Sequence, residues 1–270
     1  MAGALPFPVF GVVSESDNLH IQKLAKRRFG MEKTSGKKFY PVIHCIDPYY
    51  KNGIGHAIRN TSLAIENGAD GVFLIGHGME YVELLYIYEN VRKQFPKVWI
   101  GINFLDVSHD TIFHGASFCF DWSRLSHVAK KCENLNALWI DAMPDERLSL
   151  SSIQIFGGVA FKYLSPHLSG APLAAACERA IQCVDVATTS GDKTGSAPNV
   201  KKLESIKGHL DGRIPLALAS GVSSNNVHEF LETVDIFLVA SSICERNPNL
   251  GNEEYLVPEK VRKLAELIHE

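Results

Sequence analysis

The sequence predicts an α/β fold in which eight parallel strands and their helices form a single (β/α)8 barrel. Short apolar strands alternate with amphipathic helices along the chain, and the alternation counts eight strands. No linker or change of composition divides the 270 residues. An open, doubly wound sheet is the alternative for this alternation, but the count of eight and the even spacing favour closure.

The first half of the chain supplies four of the strands. They are expected in "FYPVIHCID" from Phe39 to Asp47, "ADGVFLIG" ending at Gly76, "KVWIGINFLD" and "NALWIDAMPD". Helices are expected near 55–67 and 80–95, where apolar residues recur at helical spacing. A loop rich in His and Phe follows the third strand, before a helix near 122–132.

The second half repeats the pattern four more times. The expected strands are "SIQIFGGVAFKYLS", Asp185 to Thr189, "IPLALASG" and "VDIFLVASS". Helices are expected near 172–183, 199–209, 225–232 and 258–269. Residues 39–270 are therefore assigned to the barrel, and residues 1–38 to an N-terminal extension packed on it.

Composition limits the partners of this protein. Net charge is −3, with 27 Lys plus Arg against 30 Asp plus Glu, so a nucleic acid polymer is not expected as a ligand. No stretch reaches the roughly 20 apolar residues that span a membrane, so a soluble, cytoplasmic protein is expected. A small phosphorylated molecule is the expected partner, and a homo-oligomer stays open.

Cysteine spacing gives no sign of zinc binding. Six cysteines occur without a C-x-x-C pair, and buried free thiols are expected for most of them. Cys45 and Cys244 lie near predicted strand ends, where thiol chemistry is the less favoured alternative.

A barrel places its chemistry at the carboxyl ends of its strands. The loops after strands seven and eight carry small residues, and barrels frequently bind phosphate between these loops at helix N-termini. The phosphate-site candidates are Ser220, Gly221, Ala240, Ser241 and Ser242. In the alternative reading, Gly221 only makes a turn and the serines only cap helices.

The loop after strand six has more hydroxyl and glycine residues than a turn needs. Its ligand-binding candidates are Thr188, Ser190, Gly191, Lys193, Thr194 and Gly195, which offer donors, a cation and close backbone approach. Asp192 is a candidate for binding a ribose hydroxyl or acting as a base. An Asp side chain that folds onto its own turn is the equally favoured alternative.

Ionisable and amide groups follow the first five strands. His44, Asp47, Asp141 and Lys162 are the catalytic candidates, Asn103 is a ligand-binding candidate, and His77 and Asp106 lie at two further strand ends. Such groups around one pocket are suited to acid–base work, and a lysine there to a Schiff base or a phosphate contact. The alternatives are a core histidine, a helix-capping Asp141 and a surface lysine.

No cofactor is predicted for the site. A divalent metal held by His44, Asp47 and Asp141 is the less favoured alternative, because no His-x-His or HExxH spacing supports it.

Four segments together resemble the BtpA family, which is named after a factor in photosystem I biogenesis: "GGVAFKY", "DVATTSGDKTGSAP", "LASGVSSNNVHEFL" and "VDIFLVASS". The most specific part matches T-G-x-x-T-G-x-A-P, with Ser190 in place of the first Thr. The resemblance implies a TIM barrel of the ribulose-phosphate-binding type and a phosphorylated or nucleoside-like ligand. The chain departs from the family after His44, where Cys45, Ile46, Asp47 and Pro48 replace a His-Leu stretch followed by Leu-Pro-Gly.

Two functions are compatible with these features. The first is an enzyme acting on a phosphorylated sugar, nucleotide or nucleoside, of the lyase, isomerase or glycosyl-transfer and hydrolysis classes. The second is a non-catalytic assembly or regulatory factor that keeps a residual phosphate site, as the resemblance to the family suggests.

Overall fold

Eight parallel strands close into a barrel in the order of the sequence. A computed structural model of the chain describes residues 36–49, 52–76, 79–104, 132, 134–144, 147, 152–247 and 253–270. The strands are β1 Lys38–Cys45, β2 Gly71–Gly76, β3 Trp99–Phe104, β4 Ala137–Ile140, β5 Gln154–Gly158, β6 Val186–Thr189, β7 Leu216–Ala219 and β8 Ile236–Val239. Strand β8 pairs with β1, which completes the ring and confirms the predicted (β/α)8 fold.

Helices lie between the strands. The described α-helices are α1 Gly53–Glu66, α2 Tyr81–Gln94, α3 Gly170–Cys183, α4 Val200–Leu210 and α5 Pro258–His269. Their bounds agree with the predicted helices to within about two residues, the uncertainty usual for helix ends. The predicted helix near 122–132 lies almost entirely outside the described residues.

The helix predicted near 225–232 was wrong. Only a 3-10 turn forms there, at Val227–Glu229. The side chain of Asn226 accepts hydrogen bonds from the amide and hydroxyl of Ser223, and its amide group donates to the carbonyl of Gly221. Asn and Ser side chains that bond to nearby backbone compete with helix formation, which explains the difference.

The interior of the barrel is filled by aromatic rings. Phe73 makes edge-on contacts with Trp99, Trp139 and Phe156 at centroid distances of 5.3, 5.6 and 5.2 Å. Tyr40 stacks on Trp99 at 4.1 Å. This aromatic packing makes the barrel interior a packed core, so a ligand must bind above these rings.

An antiparallel hairpin that the sequence did not predict follows β8. A 3-10 turn at Ser241–Ile243 leads into β9 Cys244–Asn247, which pairs with β10 Glu253–Leu256. Glu254 lies on the second strand of this hairpin.

The predicted extension at residues 1–38 lies outside the described residues as far as position 35, and it stays a prediction. Within the described ranges, no helix has the length and hydropathy needed to cross a membrane.

Candidate functional site

Polar side chains from four strands face the barrel axis at its carboxyl end. Side chains of a strand alternate between its two faces, and Tyr40, Val42, Trp139 and Val186 belong to the interior cluster. Continuing that alternation points four side chains inward: His44, Asn103, Asp141 and Thr188. We call these four residues the polar layer, because they replace the apolar residues that fill the barrel below them.

Two members of the polar layer bond to each other. The side-chain nitrogen Nδ2 of Asn103 donates to Oδ1 of Asp141 at 3.2 Å, and Asn103 is only 2% exposed. Strand β3 therefore orients a carboxylate that comes from the end of β4. A carboxylate held in one orientation by an amide is suited to proton transfer to or from a ligand in a fixed position.

Two buried polar groups in this region lack a partner. The hydroxyl of Thr188 and the indole N–H of Trp139 have no hydrogen-bonding partner within the described part of the protein. Thr188 is fully buried and Trp139 is 7% exposed. Burying an unpaired polar group costs about 1–3 kcal/mol, so such groups usually indicate a role that offsets the cost.

A histidine–carboxylate pair lies at the end of β1. The ring nitrogen Nδ1 of His44 is 2.7 Å from Oε2 of Glu254, and the guanidinium of Arg246 donates to the other carboxylate oxygen at 3.2 Å. The hydrogen bond from His44 lowers the pKa of Glu254 to about 2, and burial only partly opposes this effect. Glu254 is therefore ionised at neutral pH. The sequence does not indicate Glu254 as a site residue, because β9 and β10 are short and lack clear apolar alternation.

Asp47 is not brought into the polar layer. Its side chain is exposed and accepts a hydrogen bond from the backbone amide of Tyr49 at 2.8 Å, as in a local Asx turn. His77 and Asp106 lie outside the described residues. Among the described residues, no group of three or more His, Cys, Asp or Glu side chains has the arrangement of a metal site.

The cysteines near strand ends are unreactive. Burial raises the pKa of Cys45 to about 12, and it raises the pKa of Cys244 to the same value. Thiolates are the reactive form, so neither residue supplies a nucleophile at neutral pH.

The loops after β5 and β6 are joined by hydrogen bonds. The hydroxyl of Ser190 accepts from the amide of Lys162 at 2.8 Å, and the ammonium of Lys202 donates to the carbonyls of Ala160 and Ser190 at 2.7 and 2.8 Å. Ser190 is fully buried, so it organises the loops instead of presenting its hydroxyl to solvent. Burial lowers the pKa of Lys202.

Lys162 lies beside Thr194 at the rim. Its ammonium is 3.5 Å from Oγ1 of Thr194, and the same hydroxyl is 3.1 Å from the phenol oxygen of Tyr163. Hydrogen bonds from Thr194 lower the pKa of Tyr163, whose side chain is 71% exposed. The backbone of Tyr163 is left-handed, with φ of 64°, which is strained for an aromatic residue and is typical of functional loops.

Other residues of the loop after β6 are exposed. Lys193 and Asp192 face solvent, and Asp192 lies 3.7 Å from Nδ1 of His167. Gly195 has φ of 76°, and a side chain there would meet no atom within 4 Å. Open space at Gly195 leaves room for a ligand beside Lys193 and Thr194.

The loops after β6 and β7 pack backbone against backbone. A Cβ on Gly221 would lie 2.0 Å from the amide nitrogen of Ala197, and one on Gly191 would lie 2.0 Å from the carbonyl oxygen of Ser196. The hydroxyl of Ser220 accepts from the amide of Gly195 at 3.0 Å. Gly221 therefore allows the loop after β7 to approach the loop after β6, whereas Gly191 allows a close backbone contact within the loop after β6.

The loop after β8 continues this chain of contacts. The hydroxyl of Ser242 donates to the carbonyl of Val222 at 2.6 Å, and Ser241 and part of Ala240 are exposed. The three segments expected to lie together after β6, β7 and β8 are thus neighbours. Helix N-termini were expected after β7 and β8 as phosphate-binding groups. In the described segments, the loops after β7 and β8 instead lead into three-residue 3-10 turns.

Comparison with known proteins supports the fold, and it supports the family resemblance over the second half of the chain. Residues 141–270 match the BtpA family, which confirms the resemblance over that part of the chain. No curated protein sequence matches this chain significantly.

Solved structures share the barrel at low sequence identity. A protein from Aquifex aeolicus VF5 is 14% identical, with a TM-score of 0.59, and the match covers 93% of this chain and 99% of that one. Thiamine phosphate pyrophosphorylase from Pyrococcus furiosus is 15% identical, with a TM-score of 0.53 and coverage of 86% and 95%. N-acetylneuraminic acid synthetase from Leptospira borgpetersenii is 10% identical, with a TM-score of 0.54 and coverage of 85% and 82%. At these identities the similarity establishes the fold alone.

Proposed function

Because residues 141–270 carry the sequence pattern of the BtpA family, we propose that this chain is an enzyme acting on a small phosphorylated molecule at the carboxyl end of its barrel. The observation that carries the proposal is the polar layer, in which four strands contribute polar side chains above an apolar interior. A structural core alone would be expected to stay apolar at these positions.

The polar layer is suited to a ligand rich in oxygen atoms. Thr188 and Trp139 each carry a buried donor that has no hydrogen-bonding partner among the described residues, and a hydroxyl or carbonyl oxygen of a ligand would satisfy either of them. Sugars and nucleosides carry several such oxygens. An apolar ligand would leave both donors unpaired at a cost in affinity.

Charge at the rim favours an anionic end on the same ligand. Lys162 and Lys193 lie on the loops after β5 and β6, with Thr194 next to Lys162 and open space at Gly195. We assign the phosphate to this group and not to helix N-termini after β7 and β8. Among the barrels of similar fold, the Pyrococcus furiosus protein has thiamine phosphate in its name, which is a compound of this chemical class.

Proton transfer is the chemistry that the polar layer can perform. Asp141 is held by the Asn103 amide, and His44 is held by Glu254. One group would remove a proton from the ligand while the other donates one, as lyase, isomerase and glycosyl-transfer reactions require. Lys162 would bind phosphate or, in a lyase, attack a carbonyl carbon as an amine.

Thermal shift with a defined ligand panel tests the proposal. The panel contains ribose 5-phosphate, fructose 6-phosphate, AMP and inorganic phosphate, each with and without Mg²⁺. At least one organic phosphate is expected to raise the melting temperature, because a ligand that binds only the folded state stabilises it. The shift should disappear in Lys162→Met and persist in Lys93→Met, an exposed lysine in the last turn of α2. Equal shifts in the two variants would contradict the phosphate assignment.

Exposed aromatic residues favour the second candidate, an assembly or regulatory factor. Tyr49 is 76% exposed and stacks on Tyr86 at 5.8 Å, and Val82 nearby on α2 is 52% exposed. Aromatic side chains of this kind are enriched at protein interfaces. If Asp141→Asn abolishes turnover of a compound from the panel while Asp211→Asn, at the exposed end of α4, does not, the enzyme reading holds.

A further inference from the structure

We propose that Glu254 is a positioning residue that fixes the imidazole of His44 with its proton on Nδ1, which leaves Nε2 as the basic nitrogen of the site. Its catalytic consequence rests on the proposed function, whereas the placement of the proton does not. Glu254 comes from the hairpin after β8 and His44 from the first strand, so the pair spans 210 residues of sequence.

The direction of the hydrogen bond follows from the charge of Glu254. An ionised carboxylate can only accept, so His44 must donate from Nδ1 across the 2.7 Å contact. Arg246 donates to the opposite carboxylate oxygen and adds a smaller lowering of the pKa of Glu254 to the one that His44 causes. In a neutral imidazole the second nitrogen is then unprotonated and can accept a proton.

The hairpin is held in place by buried groups of α1. Nε2 of His56 is 2.7 Å from the backbone carbonyl of Glu254, and Oδ1 of Asn60 accepts from the amide of Leu256 at 2.9 Å. His56 is 4% exposed and Asn60 is 1% exposed. These two contacts fix the backbone on both sides of Tyr255, whose ring packs edge-on against His56 at 4.9 Å.

This anchoring distinguishes a positioning role from a surface ion pair. Surface ion pairs are formed by mobile side chains and contribute little to stability. Here the acidic side chain is 17% exposed, and its backbone is bonded to buried residues. A carboxylate held in this way beside a histidine sets the tautomer and orientation of the ring, as carboxylate–histidine pairs do in other enzymes.

Nitrogen-15 NMR of the histidine side chains tests the proton placement without any ligand. In protein labelled at histidine and held above the pH where imidazole titrates, the His44 signals are identified by their loss in His44→Gln. We expect a pyrrole-like Nδ1 and a pyridine-like Nε2 in the wild type. In Glu254→Met the acceptor for Nδ1–H is removed, and we expect the Nε2–H form to increase; the exposed Arg246→Gln should keep the wild-type pattern.

The wild-type spectrum alone can overturn the proposal. A pyrrole-like Nε2 at His44 would show that Glu254 does not set the tautomer, and so would an unchanged spectrum in folded Glu254→Met. If Glu254→Met does not fold, Glu254→Asp serves as the second variant, since its shorter side chain draws the carboxylate away from Nδ1, and an unchanged spectrum there would likewise contradict the proposal. Failure of the ligand panel leaves this measurement unaffected, so the two proposals can fail separately.

Discussion

The ammonium nitrogen of Lys202 donates to the backbone carbonyl of Ala160 at 2.7 Å and thereby joins α4 to the loop after β5. The same nitrogen donates to the carbonyl of Ser190 at 2.8 Å. Ala160 has φ of 46°, a left-handed conformation that is unfavourable for alanine. The lysine therefore holds a strained loop next to Lys162, the predicted phosphate contact.

Replacing Lys202 should destabilise the folded protein. Lys202→Met keeps most of the apolar stem but removes both hydrogen bonds to carbonyls, and we expect the free energy of unfolding to fall by about 2 kcal/mol. Urea denaturation measures this loss. Lys201→Met, at the exposed neighbouring position, should change it little. Equal denaturation midpoints for the two variants would show that the bridge contributes no stability.

Replacement by alanine should change the stability in opposite directions at two glycines, one in the loop after β7 and one in α4. Gly221→Ala should destabilise the protein by about 2 kcal/mol or more, because φ is 74° and the new Cβ would lie 2.0 Å from the nitrogen of Ala197. Gly208→Ala should stabilise it by about 1 kcal/mol, because this glycine lies within α4 with nothing within 4 Å. Thermal unfolding of both variants checks the pair. A stable Gly221→Ala would mean that the two loops are not in close contact.

Sequence patterns predicted the barrel well because apolar strands and amphipathic helices are local signals. They also placed His44, Asn103 and Asp141 at strand ends and Thr188 at the start of the loop after strand six, and in the structure each follows a buried strand residue of the inward face. Their roles in binding or catalysis stay predictions. What they could not predict is which loop residues face a ligand. Ser190 and Gly221 have the residue types of a phosphate site, yet one hydroxyl is buried and the glycine packs against Ala197.

Contacts between segments that are far apart in the sequence could not be predicted either. Glu254 pairs with His44 only because the hairpin returns over the first strand, and nothing local at position 254 indicates this. A sequence signal for the hairpin does exist: Pro248, Asn249 and Gly251 are typical turn residues between two short segments. The polar strands on either side gave no apolar alternation to accompany it.

The His44–Glu254 pair should make stability depend on pH in the acid range. The pKa of Glu254 is about 2 in the folded protein, below its ordinary value of 4.5, so the folded state favours the ionised form. Its contribution is fully present above pH 4.5 and is lost as the pH falls towards 2. The difference in the free energy of unfolding between wild type and Glu254→Gln should therefore shrink as the pH falls from 4.5 towards 2.

Urea denaturation at several pH values measures this difference. The exposed Glu229→Gln serves as the control, because it removes a carboxylate elsewhere on the surface. A gap between wild type and Glu254→Gln that stays constant down to pH 3 would contradict the ionised pair. The measurement concerns stability only, so it does not depend on any substrate.

The unpaired hydroxyl of Thr188 gives the prediction that best separates function from folding. Thr188→Val keeps the shape of the side chain and removes a buried hydroxyl that has no partner in the described part of the chain, so stability should rise by about 1 kcal/mol. Thr61→Val is the matched control. Thr61 is also fully buried, but its hydroxyl donates to the carbonyl of Ala57 at 2.8 Å, so the same change should give no gain in stability.

For Thr188→Val we also expect that any ligand from the panel that stabilises the wild type binds at least about tenfold more weakly, since one hydrogen bond to it is lost. Greater stability with weaker binding would show that the hydroxyl of Thr188 serves ligand binding at a cost in stability. Lower stability would instead mean that the hydroxyl is satisfied in the folded protein, by ordered water for example, and the argument from unpaired donors would fail.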